Sequence, residues 1–320
     1  MTQRIVLTGA NGFVGQAVSR LLLARGDAVT GIVRRPGTVV DGVQAWLLDS
    51  DDFGEIETRW PDALRCDTVI HLAARVHVMR DRAIDPLAAY RETNVAGTLR
   101  VARAARRAGA RRFVFVSSIK AVGESSAGRE PISELVPPAP IDPYGISKLE
   151  AERALTEFGS RSGLEVTIVR PPLVYGPGVR ANFLQLMNAI AKGVPLPLGA
   201  VQARRSMVYV DNLADALVHC ATDRRAAGTL FHVTDGHDLS VVELARMLGW
   251  QLHVPARFIS IPPQLLRLAG RVTGRSAQIA RLLDELRVDS SHITEVLGWR
   301  APYTVEQGLL ETAAWYRATH

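Results

Sequence analysis

Arg4-Ile5-Val6-Leu7-Thr8-Gly9-Ala10-Asn11-Gly12-Phe13-Val14-Gly15 stands near the head of a chain of 320 residues. Arg4–Thr8 is a short apolar run of the kind that forms a strand buried on both faces. Glycines follow at 9, 12 and 15. Phe13, Val14, Ala17, Val18, Leu21 and Leu22 recur at helical spacing, so a helix is expected over Gly12–Arg25, stopping at Gly26. A strand, a glycine turn and a helix start, in that order, make a cradle for a pyrophosphate. Glycine permits the tight turn and a close backbone approach, and the helix N-terminus offers free N–H groups and the positive end of a dipole. Gly9, Asn11, Gly12, Phe13, Val14 and Gly15 are therefore read as a dinucleotide-binding loop.

The pattern repeats outward from this unit. Short apolar runs at Ala28–Val33, Gln44–Leu48, Thr68–Leu72, Arg112–Ser117 and Glu165–Arg170 read as further strands, and Pro86–Ala108 and Pro143–Phe158 as long helices. Strands alternating with helices give an α/β fold with a parallel sheet. After Arg170 the pattern changes, with prolines and glycines dense through Pro171–Gly178 and again at Pro195–Gly199. A helix over Asp211–Cys220 and a strand over Thr229–Val233 return to the main unit. Leu239–Gly249 and the last thirty residues read as helical. The expected division is 1–170 plus about 205–235 as the dinucleotide-binding unit, with about 171–204 and 236–320 as a smaller unit. Residues 251–285 read least clearly; Ile261–Leu268 is expected in the small unit's core, with an exposed apolar patch as the alternative.

Composition is that of an ordinary globular protein. No stretch reaches the roughly 18 uninterrupted apolar residues of a membrane span. The N-terminal apolar run is too short for a signal peptide, so a cytoplasmic protein without stable membrane insertion is expected. Cys66 and Cys220 make no disulfide framework. The net charge of +6 comes from dispersed arginines; the only lysines are Lys120, Lys148 and Lys192. Without a nucleic-acid-binding signature, this charge does not point to a nucleic-acid partner, and no metal site is read.

Two segments carry chemistry. The second strand ends in Val33-Arg34-Arg35, with no acid to take a ribose 2′-hydroxyl. Arginines there suit a 2′-phosphate, which favours NADP(H), with NAD(H) the alternative. Asp49, after the third strand, is a candidate for the adenine amino group or a plain loop acid. Asp142-Pro143-Tyr144-Gly145-Ile146-Ser147-Lys148 begins a helix with a good cap and a first-turn proline. Tyr144 and Lys148 are four apart on one face. A cation beside a phenol is expected to lower its pKa from about 10, so that it trades protons near neutrality. Ser118 stands just past the strand Arg112–Ser117, at the strand's carboxyl end where ligands bind in open α/β sheets.

These motifs, with His71-Leu72-Ala73-Ala74, Asn94, Arg170-Pro171-Pro172-Leu173-Val174-Tyr175-Gly176-Pro177-Gly178, Arg205-Ser206-Met207-Val208-Tyr209-Val210-Asp211 and Leu297-Gly298-Trp299, resemble the NAD-dependent epimerase/dehydratase family of extended short-chain dehydrogenases. The resemblance runs essentially end to end. It implies a Rossmann doubly wound parallel sheet with a smaller C-terminal α/β substrate-binding domain. It also implies a homodimer through a four-helix bundle of Pro86–Ala108 and Pro143–Phe158. Tyr144 is then the acid/base, Lys148 binds the nicotinamide ribose, and Ser118 orients the reacting sugar oxygen. Leu72, Ala73, Ala74, Asn94 and Pro171 join the cofactor site, and Asn182 and Arg205 contact the nucleotide-sugar diphosphate. The residues alone leave alternatives: a helix cap for Asn182, a solvated charge for Arg205, backbone satisfaction for Asn94, and a structural His71.

The two residues after Ser118 narrow the reaction. Sugar 4,6-dehydratases resemble one another in an acidic pair there, whereas this chain has Ile119 and Lys120. Lys120 contacts substrate or points to solvent. A reductase and a 4-epimerase remain. The arginine pair and the run Ser117-Ser118-Ile119-Lys120 resemble reductases of UDP-4-keto-6-deoxy-N-acetylhexosamine in lipopolysaccharide O-antigen pathways, whose product is UDP-N-acetylquinovosamine or UDP-N-acetylfucosamine. A non-catalytic dinucleotide sensor or structural subunit is the reading from another class.

Overall fold

The computed structural model describes every residue except 1, 36, 51, 62, 63, 77–84 and 275, and the side chains of all those described but 277, 278 and 281. Six strands carry the sheet: β1 (Arg4–Thr8), β2 (Ala28–Val33), β3 (Gln44–Leu47), β4 (Thr68–His71), β5 (Arg112–Val116) and β6 (Glu165–Arg170). With Leu230–His232 they form a seven-stranded sheet in the order Leu230–His232, β6, β5, β4, β1, β2, β3. Every pairing in it is parallel. The expected strands are present, three of the six one residue shorter than read. The order reverses between β1 and β4, and a doubly wound sheet opens its crevice at that switch point. This is a Rossmann fold.

Alternation along the strands builds two cores. Ile5, Leu7, Ile70, Val114 and Val169 face one side, and Val6, Val69, Phe113, Phe115 and Ile168 the other. A side chain points to opposite faces at successive strand positions, so each strand feeds both layers. The first core runs on without a break into the C-terminal half, through Tyr175, Phe183, Leu248 and Tyr316. There two small sheets form, Leu173–Tyr175 with Met207–Tyr209 and Arg204–Arg205 with Leu239–Ser240.

Two features correct the sequence reading. The helix from Pro86 is not continuous: a π-turn over Glu92–Gly97 separates Pro86–Arg91 from Thr98–Arg107. Gly97, at its end, packs so closely on the backbone of residue 52 that an added Cβ would lie 2.9 Å from the Asp52 carbonyl oxygen. The segment expected to fill the small unit's core instead forms the helix Pro263–Val272, in which Leu265 and Leu268 are exposed.

A buried ion pair closes the sheet under the crevice. Arg170, at the end of β6, donates from Nε to Glu152 Oε1 at 2.9 Å and from Nη2 to Oε2 at 2.5 Å. Ser117, just past β5, donates its hydroxyl to the same carboxylate. Glu152 lies one turn beyond Lys148 on the helix Pro143–Ser162. Two strand ends and that helix are thus locked together by groups that are almost wholly buried, as charges in an interior must be.

Candidate active site

The glycine loop has the shape its sequence implies. Gly9 has φ +71°, and an added Cβ would lie 3.1 Å from Ala73 N. A Cβ on Gly15 would collide with the Gly9 carbonyl and come within 2.9 Å of Ala10. Gly12 caps the helix Phe13–Ala24 with no side-chain hydrogen bond to its first turn. The first-turn N–H groups that Gly12 leaves without a side-chain acceptor face the switch point, which is the arrangement an anionic phosphate fits. Asn11 donates to Thr38 Oγ1 at 3.0 Å, bracing the loop against the segment after β2. Arg34 and Arg35 are exposed just past β2, and Asp49 is exposed after β3.

A line of buried polar groups joins this loop to the tyrosine–lysine helix. Thr98 donates its hydroxyl to the Asn94 carbonyl at 2.7 Å. Its oxygen, 3.0 Å from His71 Nε2, must then accept, which places the imidazole proton on Nε2. Nδ1 is left to accept from Thr8 Oγ1 at 2.9 Å, and Thr8 in turn accepts from the N–H groups of Leu72 and Ala73. On the far side, Asn94 Nδ2 donates to Ser147 Oγ at 2.9 Å, and Ser147 donates to the Tyr144 carbonyl at 2.8 Å. Asn94 also bonds Arg75 N and O, so both of its amide donors are committed within the chain. His71 is structural too: burial, and then the charge of Lys148, push it down to about 3. Thr8, Thr98 and Ser147 were not read from the sequence; the only signal is a hydroxyl at the end of an apolar strand or inside a helix.

Tyr144, Lys148 and Ser118 converge. Asp142 caps the helix through Gly145 N at 2.6 Å, and Pro143 takes its first turn. Lys148 is buried, donates to the Val116 carbonyl at 2.8 Å, and lies 6.0 Å from the Tyr144 ring centre. Ser118 hydrogen-bonds the Tyr144 hydroxyl. Ile119 N bonds the Pro171 carbonyl at 3.0 Å, fixing the turn after β5. The expected lowering of the phenol is not found in the free chain. Burial raises Tyr144, the Asp142 charge adds to that, and only the Ser118 bond opposes them. Burial likewise pushes Lys148 down to about 7, against the pull of Glu152.

Lys120 does not simply point to solvent. Its Nζ lies 2.5 Å from Asp142 Oδ2 and 2.7 Å from Glu124 Oε1, so it is held between two carboxylates of its own chain. Burial works to raise the Asp142 carboxyl, but bonds from Lys120 and Gly145 N outweigh it and hold the group below the usual range. Glu124 lines a cavity of about 360 Å³ with Val122, Arg129, Ile132, Ile141 and Asp284. Arg205 donates to the Asp284 carbonyl at 2.7 Å and so is not simply solvated. Asn182 is exposed in the first turn of the helix Ala181–Ala191, whose cap position is Arg180, so it is not the cap.

Residues 5–233 match the NAD dependent epimerase/dehydratase family. The chain belongs to that family. It is 40% identical over 315 residues to a UDP-glucose 4-epimerase of Vibrio cholerae, covering 98% of this chain and 95% of that one. It is 27% identical over 321 residues to a GDP-6-deoxy-D-mannose reductase of Pseudomonas aeruginosa, covering 97% and 95%. A solved UDP-glucose 4-epimerase of Thermotoga maritima shares the fold, with a TM-score of 0.79 at 24% identity and 99% coverage of both chains. As a family member the chain is an enzyme of the extended short-chain dehydrogenase type.

Two predictions come from this epimerase/dehydratase site. Free histidine titrates near 6.5, whereas buried His71 titrates near 3. The unfolded chain therefore takes up a proton that the folded chain refuses, and stability falls as pH drops through that window. Urea midpoints measured from pH 7 to pH 4 should decline, and His71→Asn should flatten the slope. Lys120→Met leaves Glu124 and Asp142 facing each other without a cation. Its stability deficit, about 1–3 kcal/mol at pH 7, should shrink by pH 5, because one of two like-charged folded carboxyls then holds a proton more tightly than its unfolded counterpart. Lys120→Arg should restore most of the loss.

Proposed function

We propose that the enzyme reduces the C4 ketone of a UDP-4-keto-6-deoxy-N-acetylhexosamine with an exchangeable nicotinamide cofactor, NADPH being favoured over NADH, in nucleotide-sugar synthesis for surface polysaccharide. The observation that carries this reading is the exposed pair Arg34 and Arg35 at the end of β2, where a ribose 2′-hydroxyl would call for a carboxylate. Ile119 and Lys120 after Ser118 support it, since elimination of water would need a carboxyl acid/base there.

The glycine cradle fits a dinucleotide pyrophosphate, with Gly9, Asn11, Gly12, Phe13, Val14 and Gly15 holding it. Leu72, Ala73, Ala74, Asn94 and Pro171 would line the path toward the nicotinamide, with Arg34 and Arg35 on the phosphate and Asp49 near the adenine. Such a cofactor, when bound, supplies the hydride. The chain's own residues do the rest. Ser118 orients the ketone through its hydroxyl, and Tyr144 gives its phenolic proton to the oxygen at C4 as that oxygen becomes an alkoxide. Burial raises the phenol of the free chain, so donation relies on a protonated Lys148 beside it to bring it back toward neutrality. Lys148 holds the nicotinamide ribose and, when protonated, stabilises the phenolate left behind. Residues 171–204 and 236–320 form the substrate-binding unit, with Asn182 and Arg205 reaching the diphosphate and the cavity beside Glu124 taking part of the sugar. We also assign a homodimer, in which Pro86–Arg107 and Pro143–Ser162 meet their copies as a four-helix bundle; Leu99 and Ile146 are only partly covered within one chain.

The 40% likeness to a UDP-glucose 4-epimerase favours a second reading, in which one NAD stays bound and hydride leaves and returns to C4. The two separate cleanly. For the reductase, the protein purifies without stoichiometric NAD, and NADPH is oxidised in step with added 4-keto sugar. Tyr144→Phe should lower kcat by roughly 10²–10⁴-fold without unfolding the chain. Arg34→Glu with Arg35→Glu should raise the KM for NADPH by roughly tenfold or more and leave that for NADH little changed. Stoichiometric bound NAD, with UDP-sugars interconverted and no net oxidation, would establish the epimerase instead.

A further inference from the structure

The helix Pro263–Val272 is amphipathic, yet its apolar stripe is not used in the core. Gly270 is its one buried residue and Leu266 packs partly on the main core. Leu265, Leu268 and Val272 stand 55%, 56% and 80% exposed. At about 100° per residue these three fall within about 60° of one another, so they form one line along the helix. Ile259 just before it and Leu282 on the packed helix Ser276–Leu283 are exposed as well. Single exposed apolar side chains are ordinary; a contiguous group on one element marks a contact surface.

Charge indicates the partner. From Arg257 to Leu283 the sequence has arginines at 257, 267, 271, 275 and 281 and no acidic residue. Arg267 and Arg271 are exposed on the same helix, Arg271 about 60° and Arg267 about 100° beyond Leu268 at the edge of the apolar line. Arg267 also pairs with Asp284 at 2.8 Å, which ties this helix to the wall of the cavity beside Glu124. No described helix is long and apolar enough to cross a membrane, so a contact with lipid would be one of surface only. A second copy of the chain is the other occupant to consider. A two-fold contact would press this patch against itself and bring arginines against arginines, which disfavours it.

We propose that this face docks on an anionic lipid bilayer, with Leu265, Leu268 and Val272 entering the interfacial layer and the flanking arginines meeting headgroup phosphates. That is the pattern of a helix lying in a membrane surface. Docking so would hold an enzyme acting on sugar nucleotides beside the membrane, with the cavity wall at Asp284 tied to the patch's helix through Arg267.

The test uses the full chain and sedimentable vesicles of phosphatidylglycerol mixed with phosphatidylcholine, against phosphatidylcholine alone. The chain should sediment with the anionic vesicles, less so in high salt, and not with the neutral ones. Leu268→Glu combined with Val272→Glu, and separately Arg271→Glu, should each lower the partition by roughly tenfold or more. Thermal unfolding of these exposed-site variants should match the parent. Failure of the parent to sediment, or equal sedimentation of parent and variants, overturns the proposal. So does gel filtration in which Leu268→Glu/Val272→Glu turns a dimer into a monomer, since that assigns the patch to a second copy.

Discussion

The site rests on the buried line Thr8–His71–Thr98–Asn94–Ser147. Every member is almost fully excluded from water, so each must find its partners inside the protein. They do so in only one orientation, because the Thr98 hydroxyl is committed to the Asn94 carbonyl and forces the histidine tautomer. The line spans the switch point. It starts at the end of β1, where the glycine loop begins, passes the end of β4, crosses the π-turn, and ends on the carbonyl of Tyr144. A shift of the loop against the tyrosine helix would break a bond in a place where water cannot replace it. The distance between the glycine loop and Tyr144 is thereby fixed.

Electrostatics around that frame are balanced rather than poised. The Glu152–Arg170 pair settles charge beneath Lys148, and Lys120 settles it beside Asp142. Burial keeps Tyr144 protonated and brings Lys148 to the edge of losing its proton. Tyr144 and Lys148 are thus each pushed toward the neutral form.

Much of this was legible in the sequence, for local reasons. The strands are short buried apolar runs, and the tyrosine helix declares itself through Asp142 and Pro143. Even Asp142 as cap was readable, because its partner Gly145 is three residues away. What escaped is nonlocal. Thr8 meets His71 across 63 positions and His71 meets Thr98 across 27, with nothing in either neighbourhood to announce it. Lys120 finds Asp142 22 residues on, an ion pair that nothing local to Lys120 announces. Gly97 in the π-turn packs on Asp52, 45 positions away, and the exposed stripe of Pro263–Val272 has the same periodicity a core helix would have.

In the proposed reduction, hydride reaches C4 from a cofactor that comes and goes. A label traces it: NADPH carrying deuterium at the transferable position of its nicotinamide, turned over with the 4-keto sugar, and the product examined by nuclear magnetic resonance. One deuterium is expected at sugar C4 in essentially every product molecule. Product formed from UDP-sugar with no deuterium at C4, while the labelled NADPH is left intact, would rule the reduction out.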